Sequence, residues 1–467
     1  MKLTFWGATR QVTGSMHMVQ LPNGYTILID CGLDYEQQKR FGSLGDVEFP
    51  FHPQDINAVI LTHSHIDHSG NLPSLVKQGF RGKIICTPAT ADITGLLLID
   101  SLNIMEMERN QSNRGKGGKG SSSKKMPFGY KHLRETVDRM VPVILNKKFR
   151  ITDGVEMEFF NSGHILGAAS VLLKVQDGEK ELRIGFTGDL GNYNSQLVPD
   201  AQPMGELDYL ISESTYGGRT HLAQRSPTDE LLHYINLACV ENVGRLIIPA
   251  FSVGRTHAIA FTFHQLYRQG RLPNVKIFAD SPLAIKTARY HHKYVDSLNQ
   301  EAQDMYRRHK DLFEFENLEF VEDAKNSDWL KYEPDPCVII SAAGMVEGGR
   351  IQQHIRANIS NSSSHILIAG FCAEGTLGYR LLQGQSTLSI KGKDMPVHAS
   401  VHKTDAFSAH PDNTGLIKYI SEANSPKLKK VFLVHGEETS MMALKNNLIE
   451  AGITQIETPQ KGQSFEI

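Results

Sequence analysis

The sequence predicts an α/β protein with layered sheets that folds as more than one domain. Its 467 residues exceed the length of an ordinary single domain, and short apolar strands alternate with helical patterns along the chain. From about residue 220 the sequence pattern changes. Each expected strand runs into a glycine turn and then a helix, which is typical of a doubly wound α/β unit. These observations predict two or three compact units.

The first part of the chain favours short strands joined by tight turns. Asn23-Gly24 and Asp177-Gly178 are turn sequences that favour hairpins between the apolar runs on either side of them. The expected strands cover residues 3–6, 17–21, 25–29, 58–61, 171–175 and 182–186, and the expected helices cover residues 90–108 and 132–140.

The second part repeats one strand-and-turn pattern. RLIIP at residues 245–249 runs into AFSVGR and an apolar-periodic helix, and the expected strands that follow cover residues 275–279, 338–341 and 365–369. After about residue 391 short strands return, one of them at residues 430–434, and a helix is expected at residues 441–451.

Composition excludes several classes of protein. Lys plus Arg number 49 against 51 Asp plus Glu, which excludes a polycation but leaves a local basic groove open. Five scattered cysteines without a CxxC pair argue against a disulfide framework and against a thiolate zinc finger. No signal peptide and no apolar run of roughly 18 residues is recognised, so a cytoplasmic protein without a membrane partner is expected.

The segment 111–126 is rich in glycine, serine and lysine. It reads QSNRGKGGKGSSSKK before the closing methionine and has no apolar face to bury. Two interpretations stay open, a solvated surface loop and a flexible basic flap over a polyanionic substrate.

The densest chemical signal is THSHIDHSG at residues 62–70, directly after an expected buried strand. His63, His65, Asp67 and His68 supply imidazole and carboxylate groups, the usual nitrogen and oxygen ligands of zinc. On a turn that leaves a strand, positions 63 and 65 can point to one side and positions 67 and 68 to another. The spacing therefore predicts a site for two metals.

HxHxDH after a hydrophobic strand resembles the metallo-β-lactamase superfamily. Asp30 in ILIDCG, His164 in SGHILGAAS and Asp189 in FTGDLG match further elements of that family. SESTYG with Glu213, FSAH with His410 and LVHGE with His435 resemble the three additional motifs of the β-CASP nucleases. The likeness spans nearly the whole chain and extends to the endonuclease subunit of the cleavage and polyadenylation specificity factor and its prokaryotic homologues.

The resemblance implies a metallo-β-lactamase αββα sandwich with an inserted α/β β-CASP domain. The first segment of the sandwich is expected at residues 1–217, the β-CASP domain at residues 218–392, and the returning segment at residues 393–467. It also implies a zinc-dependent ribonuclease that hydrolyses phosphodiester bonds of single-stranded RNA with a hydroxide held by two Zn²⁺ ions. A histidine at position 435 favours RNA, since DNA-acting members usually carry valine there.

The family's arrangement assigns roles to the matched residues. One zinc is expected on His63, His65 and His164, the other on Asp67, His68 and His435, with Asp189 bridging them. Asp67, Glu213 and His410 are the expected catalytic residues, His410 being the general acid that Glu213 keeps protonated and aimed, and Asp30 is expected to support the ligand loop.

Glycine-rich turns in the second part are candidates for gripping the RNA backbone, although such turns are also ordinary strand–helix connections. The candidate substrate-binding residues are Ser252, Gly254, Arg255, Ser341, Gly344, Arg350, Gly375, Thr376 and Arg380. His354 has helical spacing and is expected to be structural.

Other functions remain as alternatives. A thioesterase, lactonase or lactamase of the same superfamily would need neither Glu213 nor His410, and an inactive RNA-binding scaffold would have lost ligands that this chain keeps. A single-strand DNA nuclease is disfavoured by His435. The choice between endonuclease and 5′-exonuclease, the RNA sequence preferred, and assembly as a homodimer or in a larger processing complex all stay open.

Overall fold

A computed structural model describes residues 1–35, 45–114, 125–178, 180–221, 225–423 and 426–467 of the chain. These residues form two compact units. The first unit comprises Met1–Tyr193, Asp200–Thr220 and His410–Ile467, and the second comprises Asn194–Pro199 and His221–Ala409. The domain boundaries expected from the sequence, after residues 217 and 392, remain a prediction. Most of the basic segment 111–126 lies outside the described residues.

The first unit contains two seven-stranded sheets. The strands of the first sheet, whose order is β22-β1-β2-β3-β4-β5-β6, are β1 (Lys2–Gly7), β2 (Met16–Gln20), β3 (Thr26–Ile29), β4 (Ala58–Ile60), β5 (Lys83–Cys86), β6 (Met140–Pro142) and β22 (Ser464–Glu466). The strands of the second sheet, whose order is β21-β20-β11-β10-β9-β8-β7, are β7 (Phe149–Thr152), β8 (Val155–Asn161), β9 (Ala169–Asp177), β10 (Lys180–Phe186), β11 (Tyr209–Glu213), β20 (Lys430–Val434) and β21 (Ile456–Glu457).

The helices of the first unit cover the outer faces of these sheets. They are α1 (Ile66–Ser69), α2 (Leu72–Lys77), α3 (Pro88–Arg114), α4 (Tyr130–Asp138), α12 (Asn413–Ala423) and α13 (Glu438–Glu450), and one 3₁₀ turn covers Pro53–Asp55. Leu72 and Leu75 pack on the outer face of the first sheet, while Leu416 and Leu444 pack on the outer face of the second.

The main core of the unit lies between the two sheets. Alternate side chains such as Phe5 and Ile27 from the first sheet meet Val171, Ile184 and Phe432 from the second, and all five are buried. Alternation along a strand sends every second side chain to this inner face, so each sheet buries both faces. The unit is therefore an αββα sandwich, as the sequence predicted.

The second unit is built on a six-stranded parallel sheet of order β14-β13-β15-β12-β16-β19. These strands are β12 (Arg245–Pro249), β13 (Lys276–Asp280), β14 (Leu318–Phe320), β15 (Cys337–Ser341), β16 (His365–Ile368) and β19 (Ser400–Lys403), and a separate hairpin joins β17 (Thr387–Ile390) to β18 (Lys393–Pro396).

Helices cover both faces of this sheet. They are α5 (Pro227–Ile235), which continues as a π-helical turn at Asn236–Glu241, α6 (Arg255–Arg268), α7 (Pro282–Lys293), α8 (Gln300–His309), α9 (Ala324–Trp329), α10 (Ile351–Asn358) and α11 (Leu377–Leu382), with 3₁₀ turns at Val295–Ser297 and Leu330–Tyr332. Leu246 belongs to the core on the α6 face and Ile247 to the core on the α10 face, so consecutive residues of one strand are buried on opposite sides.

Several elements differ from the expectations drawn from sequence, and β5 and β11 are among the strands that were not expected. The helix expected at residues 132–140 ends at Asp138, and Met140 begins β6, which pairs in parallel with β5. Among the strands not foreseen are β7, which has no fully buried residue, and β8, which was missed although VEMEF alternates apolar and polar residues. Among the described residues, helices long and apolar enough to traverse a bilayer are absent.

Candidate metal centre and active site

The histidine-rich segment after β4 is held in place by the loops that follow β1 and β3. The N–H groups of Ser15 and Cys31 donate to the carbonyl oxygens of Asp67 and His68, each over 2.8 Å. A Cβ atom added to Gly32 would lie 1.6 Å from the carbonyl oxygen of Asp67, so only glycine permits this approach. These backbone contacts set the position of the segment before any side chain binds a ligand.

Asp30 supports the same segment through its carboxylate. Its Oδ1 accepts from the Thr62 N–H over 2.8 Å, and its Oδ2 accepts from the Thr62 hydroxyl over 2.9 Å and lies 2.7 Å from His68 Nδ1. Asp30 has a φ of +60°, a conformation that a non-glycine residue adopts at a cost. The supporting role suggested for Asp30 stays a prediction, and these contacts are the geometry on which it depends.

Three further site residues lie at one edge of the second sheet. β10, β11 and β20 are parallel neighbours, so their carboxyl ends coincide. Asp189 follows β10, Glu213 ends β11, and His435 follows β20. His164 lies in the turn between β8 and β9. The sheet topology thus gathers residues that are far apart in the sequence.

One cluster of candidate ligands consists of His63, His65, His164 and Asp189, whose ligand atoms all lie within 4.8 Å of one another. His65 Nδ1 is 3.1 Å from His63 Nε2 and 3.2 Å from His164 Nε2. Asp189 Oδ2 is 3.6 Å from each of those two Nε2 atoms. Three ring nitrogens and one carboxylate oxygen therefore face a common point.

The second cluster consists of Asp67, His68 and His435. His435 Nε2 lies 3.5 Å from Asp67 Oδ2 and 3.5 Å from Asp189 Oδ1, and His68 Nε2 lies 3.2 Å from the same Asp189 oxygen. Asp189 therefore presents Oδ2 to the first cluster and Oδ1 to the second.

The buried donor atoms of this centre fit divalent cations. His68 Nε2 and His435 Nε2 lie 3.2 and 3.5 Å from Asp189 Oδ1, and within the described parts of the chain none of these three buried atoms makes a hydrogen bond of good geometry. Burying a polar atom without a hydrogen bond costs free energy of folding, and here three such atoms face one another. Imidazole nitrogens and carboxylate oxygens at these separations are a donor set that zinc prefers.

The surroundings of most of these groups favour the protonation states that bind a metal ion. Burial lowers the pKa of His63 well below its usual range, and the neighbouring His68 adds to that effect. Burial opposes the charge on Asp67, but His435, whose Nε2 lies 3.5 Å from Asp67 Oδ2, and the nearby His68 lower the pKa of Asp67 to about 2. Neutral imidazole and ionised carboxylate are the forms that bind a metal ion.

His68 differs from His63 in its protonation. Burial disfavours its charged form, yet the carboxylates of Asp189 and Asp30 hold the pKa of His68 well above the usual range. A cation that bound here would therefore have to displace a proton from His68.

His410 and Glu213 form a pair beside the clusters. His410 Nδ1 is 3.0 Å from Glu213 Oε1 and 3.2 Å from Oε2, and the Glu213 carboxylate is fully buried. Backbone N–H groups of Leu190 and Thr215 donate to the same two oxygens over 2.7 and 3.3 Å. The ring of His410 lies 4.6 Å from that of His164. The pair can hold a proton on an imidazole beside the candidate metal ligands.

The candidate substrate-binding residues lie at the carboxyl edge of the parallel sheet in the second unit, after β12, β15 and β16. Several have side chains committed within that unit. Arg350 Nη1 lies 2.6 Å from Asp280 Oδ1, and Ser341 Oγ donates to the Asp280 carbonyl over 2.9 Å. His354 Nε2 lies 2.6 Å from Asp280 Oδ2, which fits its expected structural role.

Three more candidates also have local contacts. The buried Arg255 donates from Nε to the Phe407 carbonyl over 3.3 Å, and Ser252 Oγ is 3.0 Å from Ser281 Oγ. Thr376 caps α11 by accepting from the Tyr379 N–H. The remaining candidates are Gly254, which caps α6, Gly344, which packs on Phe251, Gly375, which has open space around it, and Arg380, which lies on α11. Their role in binding substrate stays a prediction.

Three residues next to the candidate ligands were not identified from the sequence. Thr62 Oγ1 lies 3.1 Å from His63 Nδ1, and Thr215 Oγ1 lies 3.1 Å from His435 Nδ1. His17 is buried, and burial followed by the charges of His68 and His435 lowers its pKa to about 3. Thr62 and Thr215 stand directly beside recognised motifs, which was the one available signal.

Comparison with known families identifies three regions of the chain. The metallo-beta-lactamase superfamily matches residues 10–232, the Beta-Casp domain matches residues 256–381, and the Zn-dependent metallo-hydrolase RNA specificity domain matches residues 394–459.

Similar proteins come from bacteria, archaea and animals. A ribonuclease of Thermus thermophilus is 31% identical over 445 residues, covering 95% of this chain and 95% of that protein. A transcription termination factor of Methanocaldococcus jannaschii is 30% identical, covering 94% of this chain and 68% of that protein. Integrator complex subunit 11 of Danio rerio is 27% identical, covering 100% of this chain and 74% of that protein.

Proposed function

Because the chain belongs to the metallo-β-lactamase superfamily and to its β-CASP family, we propose that it is a zinc-dependent ribonuclease that hydrolyses phosphodiester bonds of single-stranded RNA. It is a metal-dependent hydrolase of the ribonuclease class, like the Thermus thermophilus relative named above. Zinc, a two-metal site and single-stranded RNA are the finer parts of the proposal.

The observation that carries the proposal is the position of Asp189. Its two carboxylate oxygens face two separate ligand clusters, which supports two cations held by one bridging group. Five of the seven candidate ligands are histidines, and this nitrogen-rich set favours zinc over magnesium or manganese. When bound, a pair of such cations lowers the pKa of water and neutralises charge on the phosphate.

The chain's own residues would protonate the leaving oxygen. His410 Nδ1 faces Glu213, so Nε2 is the ring atom turned away from that carboxylate and is the proposed donor of a proton to the leaving group. The buried carboxylate of Glu213 stabilises the protonated imidazole and orients the ring. Asp67 would belong to the same machinery as a ligand in the second cluster.

Two observations support RNA over DNA. The match to the RNA specificity domain covers residues 394–459 and so includes both His410 and His435. The motif resemblance associates a histidine at position 435 with RNA-acting members. A single-strand DNA nuclease remains the alternative that the experiment below separates.

We propose a cytoplasmic setting for this activity. All five cysteines are buried and free, which suits a reducing compartment. A relative that is a subunit of the Integrator complex supports assembly in a larger complex, while a homodimer stays a prediction.

The test is cleavage of 5′-labelled and internally labelled single-stranded RNA, with DNA of the same sequence in parallel. We expect zinc-dependent cleavage of RNA that a chelator abolishes and added zinc restores. Mononucleotides from the 5′ end would indicate an exonuclease, and internal fragments would indicate an endonuclease. Asp189→Asn should lose the activity, while Glu206→Gln, at an exposed ion pair with Lys427, should keep it. Folded protein that cleaves neither substrate with zinc would overturn the proposal.

A further inference from the structure

The hydroxyl of Thr215 contacts His435 at two atoms. Thr215 Oγ1 donates to the His435 carbonyl oxygen over 3.1 Å and also lies 3.1 Å from His435 Nδ1. Both residues are buried, with 3% of each exposed. One side chain thus contacts both the backbone and the ring of a candidate metal ligand.

The number of hydrogens on the Thr215 hydroxyl limits which of its two contacts it can donate to. A threonine hydroxyl carries a single hydrogen, and a carbonyl oxygen can only accept. With that hydrogen directed to the His435 carbonyl, which the 3.1 Å contact permits, Thr215 Oγ1 meets His435 Nδ1 as an acceptor. Nδ1 must then carry the ring hydrogen, and Nε2 keeps a free lone pair.

We infer that Thr215 is a positioning residue that fixes the tautomer of His435 and thereby prepares Nε2 to bind a metal ion. Nε2 is the atom that faces Asp67 Oδ2 and Asp189 Oδ1, each at 3.5 Å. In the opposite tautomer a hydrogen on Nε2 would occupy the direction in which a cation has to bind. This inference rests on the proposed function in one respect, the assignment of His435 as a ligand.

The first cluster shows the same arrangement. The Thr62 hydroxyl donates to Asp30 Oδ2 over 2.9 Å and lies 3.1 Å from His63 Nδ1. A carboxylate oxygen accepts, so by the same count Thr62 accepts from His63 Nδ1 and leaves His63 Nε2 free. Two threonines at two strand ends therefore prepare one histidine in each cluster.

Thr215 also holds the backbone of His435. His435 has a φ of +49°, in the left-handed region, and its carbonyl accepts from the Ser214 N–H over 3.2 Å as well as from the Thr215 hydroxyl. The Thr215 N–H donates to Glu213 Oε2 over 3.3 Å. The residue therefore lies between the His410–Glu213 pair and the second cluster.

The test compares Thr215→Val, which keeps the shape and removes the hydroxyl, with Thr215→Ser, which keeps the hydroxyl. Thr94→Val is the matched control, because Thr94 is equally buried in the same unit and its hydroxyl bonds to no residue that the structure describes. Thr215→Ala serves if the valine variant does not fold. Each metal-free protein, labelled with ¹⁵N-histidine, is studied by NMR at pH 8.5, where ring nitrogen shifts report the tautomer, and the His435 signal is assigned by its loss in His435→Asn.

We expect the wild type, Thr215→Ser and Thr94→Val to show His435 with hydrogen on Nδ1, and Thr215→Val to lose that preference. Zinc titrated against a competing chelator should bind one of two sites about 10- to 100-fold more weakly in Thr215→Val alone. An unchanged tautomer and unchanged zinc affinity in Thr215→Val would overturn the inference. A wild type that binds no zinc would instead refute the proposed function, while the NMR result would still decide the role of Thr215.

Discussion

His410 and Glu213 face each other with one imidazole nitrogen against both oxygens of a fully buried carboxylate, at 3.0 and 3.2 Å. His410 belongs to neither ligand cluster. Removal of His410, the proposed general acid, should therefore leave the candidate metal ligands in place.

His410→Ala should therefore abolish turnover and spare metal binding. We expect a fall in the cleavage rate of about 10²- to 10⁴-fold, the range that a general acid contributes. The zinc content per chain, measured by elemental analysis, should equal that of the wild type. A variant that keeps full activity would refute the assignment of His410, and one that loses zinc would make it a ligand.

Glu213→Gln should lower both activity and stability. The neutral amide no longer stabilises a charged imidazole on His410. The N–H groups of Leu190 and Thr215 donate to different oxygens of Glu213, so the NH₂ of glutamine would face one of these two donors. A buried N–H left without an acceptor costs about 1–3 kcal/mol. We expect cleavage at least roughly 10-fold slower and a lower melting temperature. Equal loss of activity in the exposed variant Glu206→Gln would argue against a specific role.

Arg350→Ala should destabilise the protein more than it weakens RNA binding. Arg350 pairs with the fully buried Asp280, whose pKa is lowered by hydrogen bonds from His354, Ser327 and Arg350 although burial opposes its charge. Removing one partner of such a pair costs about 3 kcal/mol, at the low end of the usual range because two other partners remain.

The matched control for Arg350 is Arg356→Ala, an exposed arginine on the same helix, α10. Denaturant unfolding and RNA affinity are measured on both variants. If Arg350→Ala leaves the unfolding free energy unchanged and reduces RNA affinity, the guanidinium acts on the substrate, as the sequence alone suggested.

A buried pair of histidines in the second unit should make stability depend on pH. His257 and His291 stack with ring centroids 4.3 Å apart, and burial lowers the pKa of His257 to about 4 and that of His291 well below its usual range. The unfolded chain binds these protons near pH 6.5 and the folded chain does not. The unfolding free energy should therefore fall as the pH drops from about 6.5 to about 4, by roughly 3 kcal/mol for His257.

His291→Leu should flatten this dependence, because one of the two protons is no longer taken up on unfolding. Denaturant unfolding at a series of pH values between 4 and 8 measures the effect, and His52→Gln at an exposed position is the control. A variant whose pH dependence matches that of the wild type would show that the buried pair does not contribute.

Sequence reasoning located the family and proposed the residues of the site, because the candidate ligands come in short motifs at strand ends. His63 to His68 are recognisable by spacing alone, and the family matches confirm the motif resemblance. The partners of those residues were not recognisable. Thr215 meets His435 across 220 positions through the pairing of β11 with β20, and Arg350 meets Asp280 across 70 positions. Such contacts depend on strand order, which local patterns do not encode.

The parallel pair β11–β20 also sets when the site can form during synthesis. Every strand and helix of the second unit is encoded between these two strands, so the pair closes only after that unit has been translated. A nascent chain that extends to residue 400 carries six of the seven candidate ligands but neither His435 nor His410. The proposed site therefore cannot be complete until His435, directly after β20, has been translated.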